Sequence, residues 1–211
     1  MVETDTNIAS PRDSAIAIIK AEHRALGDVV HTLQCVIEEV GKRHMEADFR
    51  LIACMLYYID SFPERCHHPK EDEYLFKLLR KRTAKANAVL DELQAQHIAS
   101  AQLMTYLEQT FVMYQGGAPD GCQRFSDAVN AYAELLWDHM ELEEKRVLVL
   151  AQEYLRDDDW RAIDNAFRAN DDPLFGPHVR QEFSRLKLRI VNLLPGKLKR
   201  RVGAAGQDRE R

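Results

Sequence analysis

Residues 15–40 read AIAIIKAEHRALGDVVHTLQCVIEEV, and the reading of the whole chain starts from that stretch. Ile16, Ile19, Leu26, Val30, Leu33 and Ile37 recur at alternating steps of three and four, as the core-facing stripe of a long helix does. His23 completes the stripe between Ile19 and Leu26, so its imidazole is aimed at the core. Ser10-Pro11 in front of it is a helix start, with proline suited to the first turn. The helix is expected to run to about Val40, with 41–46 as the connector.

The same period governs almost all of the remaining chain, and no stretch alternates as a strand would. A second helix over about 47–82 places Phe49, Leu56, Pro63, His67, Glu71 and Leu78 on one face. Pro63 and Pro69 each remove a backbone donor, so this helix is expected to be kinked or locally unwound around His67 and His68. A third helix, from 83–85 to Tyr114, carries Ala86, Leu90, Leu93, His97, Met104, Leu107 and Phe111. Gln115 to Gly121 is a loop by composition. A fourth, over about 122–155, carries Phe125, Val129, Tyr132, Leu136, His139, Glu143, Leu150 and Tyr154. These signals predict an all-α, up-and-down four-helix bundle with additional C-terminal helices. The expected organisation is an N-terminal tail over 1–13, the bundle over 14–156, a helical extension over 157–195 and a flexible basic tail over 196–211. Within the extension, a short helix should end near Ala169, and an amphipathic one over 178–194 should pack on the bundle.

Composition narrows the class. A chain of 211 residues that is 45 % hydrophobic and 30 % charged has enough apolar content for a folded core. A net charge of −5 and a pI near 5.9 argue against nucleic acid, which wants a clustered positive field. No apolar run approaches the roughly 20 residues of a membrane span, and no secretory signal is visible, so the cytoplasm is the expected compartment. The four cysteines, Cys35, Cys54, Cys66 and Cys122, form no C-x-x-C pair and read as reduced packing residues.

Each of the four helices thus aims a histidine at one core: His23, His67, His97 and His139. Two add a carboxylate one turn on, in His67-x-x-x-Glu71 and His139-x-x-x-Glu143, stacked on the same face. A lone seam histidine is ordinarily a hydrogen-bonded core residue, and a lone His-x-x-x-Glu pair is ordinarily solvated. Four histidines on four seams with two glutamates following need a common cause. Two unpartnered buried carboxylates would each cost several kcal/mol, and a divalent metal pair removes that cost. The imidazole–carboxylate set suits iron, and less exclusively manganese or zinc. His68 is the ambiguous neighbour. His31, His44 and His178 lie off the stripes or outside the long helices, and Tyr57, Tyr58 and Tyr132 read as core or supporting residues. A ferritin-like di-iron bundle needs two Glu-x-x-His motifs; Glu64 to His67 is the single such spacing, so that reading fails on count.

The stretches around His23, from His67-His68-Pro69-Lys70-Glu71 to Phe76, at His97, and from His139 to Glu144 resemble the hemerythrin-like HHE cation-binding family over about 14–155. The resemblance implies two irons, one held by His23 and His67, the other by His97 and His139, with Glu71 and Glu143 bridging. Oxygen-carrying hemerythrins have a second histidine four residues from the first on the third helix, where this chain has Leu93 and Ala101. That departure argues against simple oxygen carriage and leaves coordination positions open. The four-histidine, two-glutamate count is similar to that of bacterial repair-of-iron-centres proteins. His68 could supply a fifth nitrogen, as an adjacent glutamate does in the iron-sensing F-box relatives. The resulting expectation is a non-haem di-iron protein that binds or senses oxygen, nitric oxide or an oxidant, or stores or donates iron. Its partner would be a small diatomic ligand or oxidant at the metal. The alternatives are a slow peroxidase-like or nitric oxide-reducing oxidoreductase, and an interaction module with a vestigial site.

Overall fold

The computed structural model describes residues 10–43, 46–170 and 172. Residues 1–9, His44, His178, the helix expected over 178–194 and the basic tail lie outside the described residues.

The described chain is all-helical, and its five helices place the site. Helix α1 spans Pro11–Arg43, its start held by Ser10, whose Oγ accepts the Asp13 amide at 3.1 Å. It continues through Gly41 instead of stopping at Val40, because nothing after Gly41 removes a donor or needs a left-handed turn. Asp48 caps α2 (residues 49–82) by accepting from the Leu51 amide at 3.1 Å. After a short 3₁₀ turn at Ala84–Ala86, α3 spans Asn87–Gln115. Helix α4 covers residues 121–154, and α5 spans Asp157–Arg168.

Helix α2 continues through its prolines but is locally under-wound around them, as expected. It widens into π-helical turns at Asp60–His67 and Glu71–Phe76, which flank the α-helical turn His68–Lys70. The His68 amide reaches back five residues to the Pro63 carbonyl. A wider turn relieves the clash between a proline ring and the carbonyl one turn before it. A third π-helical stretch, Glu143–Val147 in α4, contains neither proline nor glycine. Each such turn holds an extra residue and shifts the buried face. Leu75, Phe76 and Leu79 are therefore buried after Glu71, while Leu78 is only half-buried. Past Glu143 it is Val147, Leu148 and Ala151 that are buried, and Leu150 and Tyr154 are half-buried.

The core has two apolar blocks. One gathers Leu26 to Ile37, Leu51 to Phe62, Met104 to Phe111 and Phe125 to Leu136. The other joins Ala15 and Ile19, Leu75 to Leu79, Ala86 to Leu93, Val147 to Leu155, and Trp160, Ile163 and Phe167 of α5. On every bundle helix the break between the blocks falls at a histidine: His23, His67, His97 and His139. The polar residues thus form one layer across the bundle, sealed above and below by aliphatic and aromatic side chains.

The α3–α4 turn has a steric requirement of its own. A Cβ on Gly121 would lie 2.8 Å from the Tyr114 Cα and 3.1 Å from the Met113 carbonyl oxygen, both backbone atoms that cannot rotate away. Gly121→Ala is expected to cost about 1–3 kcal/mol in a denaturant titration, the usual range for overpacking a close contact. A gain in stability, as helix propensity alone would give, would contradict this.

Candidate metal centre

All six residues singled out on the seams meet in the polar layer, each of them at least nine-tenths buried. Glu71 stands at the centre with no exposed surface. Its Oε1 faces His67 Nε2 at 2.9 Å and His23 Nε2 at 3.5 Å. Its Oε2 faces His97 Nε2 at 3.2 Å and His139 Nε2 at 3.8 Å. One carboxylate therefore divides the imidazoles into two pairs, one per oxygen. Glu143 joins the first pair, with Oε2 3.1 Å from His23 Nε2.

His68 belongs to the second pair. Its ring stacks on His97 at 4.4 Å between centroids and meets His139 at 5.3 Å. Donor atoms of His68, Glu71, His97 and His139 lie within 4.8 Å of one another, as do those of His23, His67 and Glu71. The two groups share Glu71.

Most of the inner atoms make no hydrogen bonds; the exceptions are His97 Nε2 and His139 Nε2, which pair with each other at 3.3 Å. Facing the interior, His23 Nε2, His67 Nε2 and all four oxygens of Glu71 and Glu143 are buried without an aligned partner. Buried polar atoms are almost always satisfied, so this many orphans facing one volume mark a place for a ligand. The outer side of the rings is the opposite case. His23 Nδ1 lies 3.0 Å from Glu144, His67 Nδ1 2.7 Å from Glu22, His97 Nδ1 3.0 Å from Asp72 and His139 Nδ1 3.1 Å from Gln96. His68 Nδ1 is 3.5 Å from Glu64 Oε2, whose carboxylate also accepts from Tyr132 at 2.9 Å and from Ser100. A ring held at Nδ1 presents Nε2 inward, the arrangement that metal-ligating histidines usually have.

Electrostatics point the same way. Burial pulls the His67 and His97 rings down, but Glu71 and their outer carboxylates more than reverse this, to about 10 and about 9 respectively. Burial also opposes charge on His23, which Glu143 and Glu144 carry well above its ordinary value. His139, with an amide outside it, is pushed down to about 4 by burial. Burial and the Glu71 charge push Glu143 up, while the imidazoles hold Glu71 well down despite its burial. Without a cation the layer must keep protons to balance its carboxylates, and a divalent ion would take their place.

The remaining expectations divide. Leu93 is buried in the apolar core and Ala101 is exposed, so neither adds a donor. Tyr58 and Tyr132 are fully buried, but Tyr57 is half-exposed, which corrects its placement in or near the core. The cysteines are unpaired, and all four are half-buried rather than buried. Sequence reading missed the outer acceptors Glu22, Glu64, Asp72, Gln96 and Glu144. Glu22, Asp72, Gln96 and Glu144 each adjoin one of the six site residues in sequence, but nothing in the pattern says that each serves a ring on another helix. The short helix expected to end near Ala169 is α5, but its place beside the site was not foreseen. It sets Phe167 edge-on to His67 at 5.9 Å, and Asn170 just after it gives its amide to Glu22 at 3.0 Å.

The profile of the family described as the hemerythrin HHE cation binding domain matches residues 14–151, which is α1 through most of α4. No curated protein matches the chain. No solved structure matches it either. No helix among the described residues is long and apolar enough to cross a membrane.

Proposed function

Because the chain belongs to the hemerythrin HHE cation-binding family, we propose that its polar layer holds two iron ions and serves to bind or sense a small diatomic ligand or oxidant, or to store and donate iron. The first ion would be held by His23, His67 and Glu143, the second by His68, His97 and His139, with Glu71 between them. The observation that carries the reading is Glu71 itself, a fully buried carboxylate with each oxygen turned to a separate imidazole pair and neither hydrogen-bonded. Donors of this mixed kind suit iron, with manganese and zinc as substitutes.

An iron pair supplies electrons and open coordination positions for a small ligand. The chain's own residues hold the imidazoles by Nδ1, exclude bulk water with the two apolar blocks, and balance charge with the Glu71 and Glu143 carboxylates. His68 fits the second group from α2, so the nitrogen missing at Leu93 and Ala101 on α3 would be supplied from another helix. The absence of a membrane-spanning helix among the described residues and the unpaired cysteines fit a cytoplasmic protein.

Metal analysis of the purified protein is expected to give two irons per chain, with charge-transfer absorption after ferrous loading and exposure to air. His67→Ala and Glu143→Ala should each lower the iron content by at least one ion. Protein that stays metal-free after reconstitution, with a melting temperature indifferent to chelator, would sink the proposal in favour of a vestigial site.

A further inference from the structure

The outer acceptors form a closed ring around the bundle. Glu22, next to His23 on α1, serves His67 on α2 at 2.7 Å. Asp72, next to Glu71 on α2, serves His97 on α3 at 3.0 Å. Gln96, next to His97 on α3, serves His139 on α4 at 3.1 Å. Glu144, next to Glu143 on α4, serves His23 on α1 at 3.0 Å. Each helix thus orients the imidazole of the next, and α4 returns the chain of contacts to α1.

Three members of the ring are carboxylates and one is an amide. A carboxylate at Nδ1 raises the basicity of the ring and strengthens Nε2 as a donor; a neutral amide carbonyl fixes orientation and adds much less. Both rings of the first group, His23 and His67, are backed by carboxylates. In the second group only His97 has a close one. His139 has Gln96, and His68 stands 3.5 Å from a Glu64 carboxylate that also serves Ser100 and Tyr132. Glu143 adds further negative charge beside His23.

We propose that Gln96 is a positioning residue that makes the two ion positions unequal, leaving the one at His68, His97 and His139 the more weakly held and the more easily reduced. The inference rests on the two-ion reading. Gln96 touches His139 and acts through it, on the ligand's donor strength.

The test uses full-length protein stripped of metal and titrated with Co²⁺ by calorimetry. The wild type should bind two ions in separate steps. Gln96→Glu should tighten the weaker step by roughly tenfold or more, and Gln96→Leu should weaken the same step by roughly 10–100-fold, the range for outer partners of ligating histidines. Glu22→Gln should instead weaken the stronger step. In iron-loaded protein, Gln96→Glu should make the reduction potential of one iron more negative. A space-filling Gln96 would not move the two variants in opposite directions. Two equal steps in the wild type, unchanged steps in both Gln96 variants, or a change on the stronger step would each overturn the inference while leaving the metal site standing. Should Gln96→Glu fail to fold by circular dichroism, opposite assignments of Gln96→Leu and Glu22→Gln to the weaker and stronger steps decide it. A wild type that binds no Co²⁺ would overturn the two-ion reading and the inference with it.

Discussion

Glu71→Gln is expected to abolish stoichiometric binding of both ions, a larger loss than any other single substitution in the layer. The reason is geometric. His23 and His67 face one oxygen of this side chain, and His97 and His139 face the other. A neutral amide keeps the volume but removes the charge both positions share, and its NH₂ end offers a donor where a cation needs an acceptor. Glu143 lies beside His23, so Glu143→Gln should cost the first position and spare much of the second. Iron per chain should therefore fall from about two to about none for Glu71→Gln and to about one for Glu143→Gln. A second readout is thermal. An ion present at 100 times its Kd stabilises the native state by about 2.7 kcal/mol. Chelator should lower the melting temperature of the wild type and leave that of Glu71→Gln unmoved. Two irons retained by Glu71→Gln would show that the carboxylate does not join the positions.

Legibility in the sequence stops at identifiable physics. His23, His97 and His139 can be placed because α1, α3 and the first part of α4 keep a regular 3.6-residue period up to those residues. Beyond Glu71 and Glu143 the period is broken by π turns, and the expected seam residues Leu78, Leu150 and Tyr154 give way to Leu79, Ala151 and Leu155, one position later. Pro63 and Pro69 announce the distortion in α2. The turn at Glu143 has no such residue, so no local rule would find it. The outer ring is hidden for another reason. Glu22 and Glu144 look like ordinary charged helix residues, and their roles depend on which helices are neighbours, a property of the fold.

Helix α5 belongs, by its sequence, to an appended extension, and it lies past the stretch matched by the family profile, which ends at 151. Its contacts tie it to the bundle core. Trp160, Ile163 and Phe167 are buried in the same apolar block as Ala15, Ile19 and Leu75. Asp159 is clamped by both nitrogens of an Arg82 fork, at 2.7 and 2.9 Å, and closes the first turn by accepting the Arg156 amide. Full burial of such apolar side chains is worth about 1.5–3 kcal/mol each, so the three together contribute about 5–9 kcal/mol. That is comparable to the whole stability of an ordinary domain, about 5–15 kcal/mol. A chain ended after Arg156 is therefore expected to be barely folded at 25 °C when metal-free, with a denaturation midpoint far below that of the full chain. The milder Phe167→Ala should cost about 3–5 kcal/mol. It also takes the edge-on ring from His67, so the loss should appear at the first ion as well as in stability. Asn170→Ala, which removes the amide on Glu22 but buries no apolar surface, separates the two effects: metal affinity should fall with little change in the metal-free midpoint. If the truncated chain unfolds at the same denaturant concentration as the full one, α5 is an ornament; if it does not, the working unit is a bundle of four helices completed by a fifth.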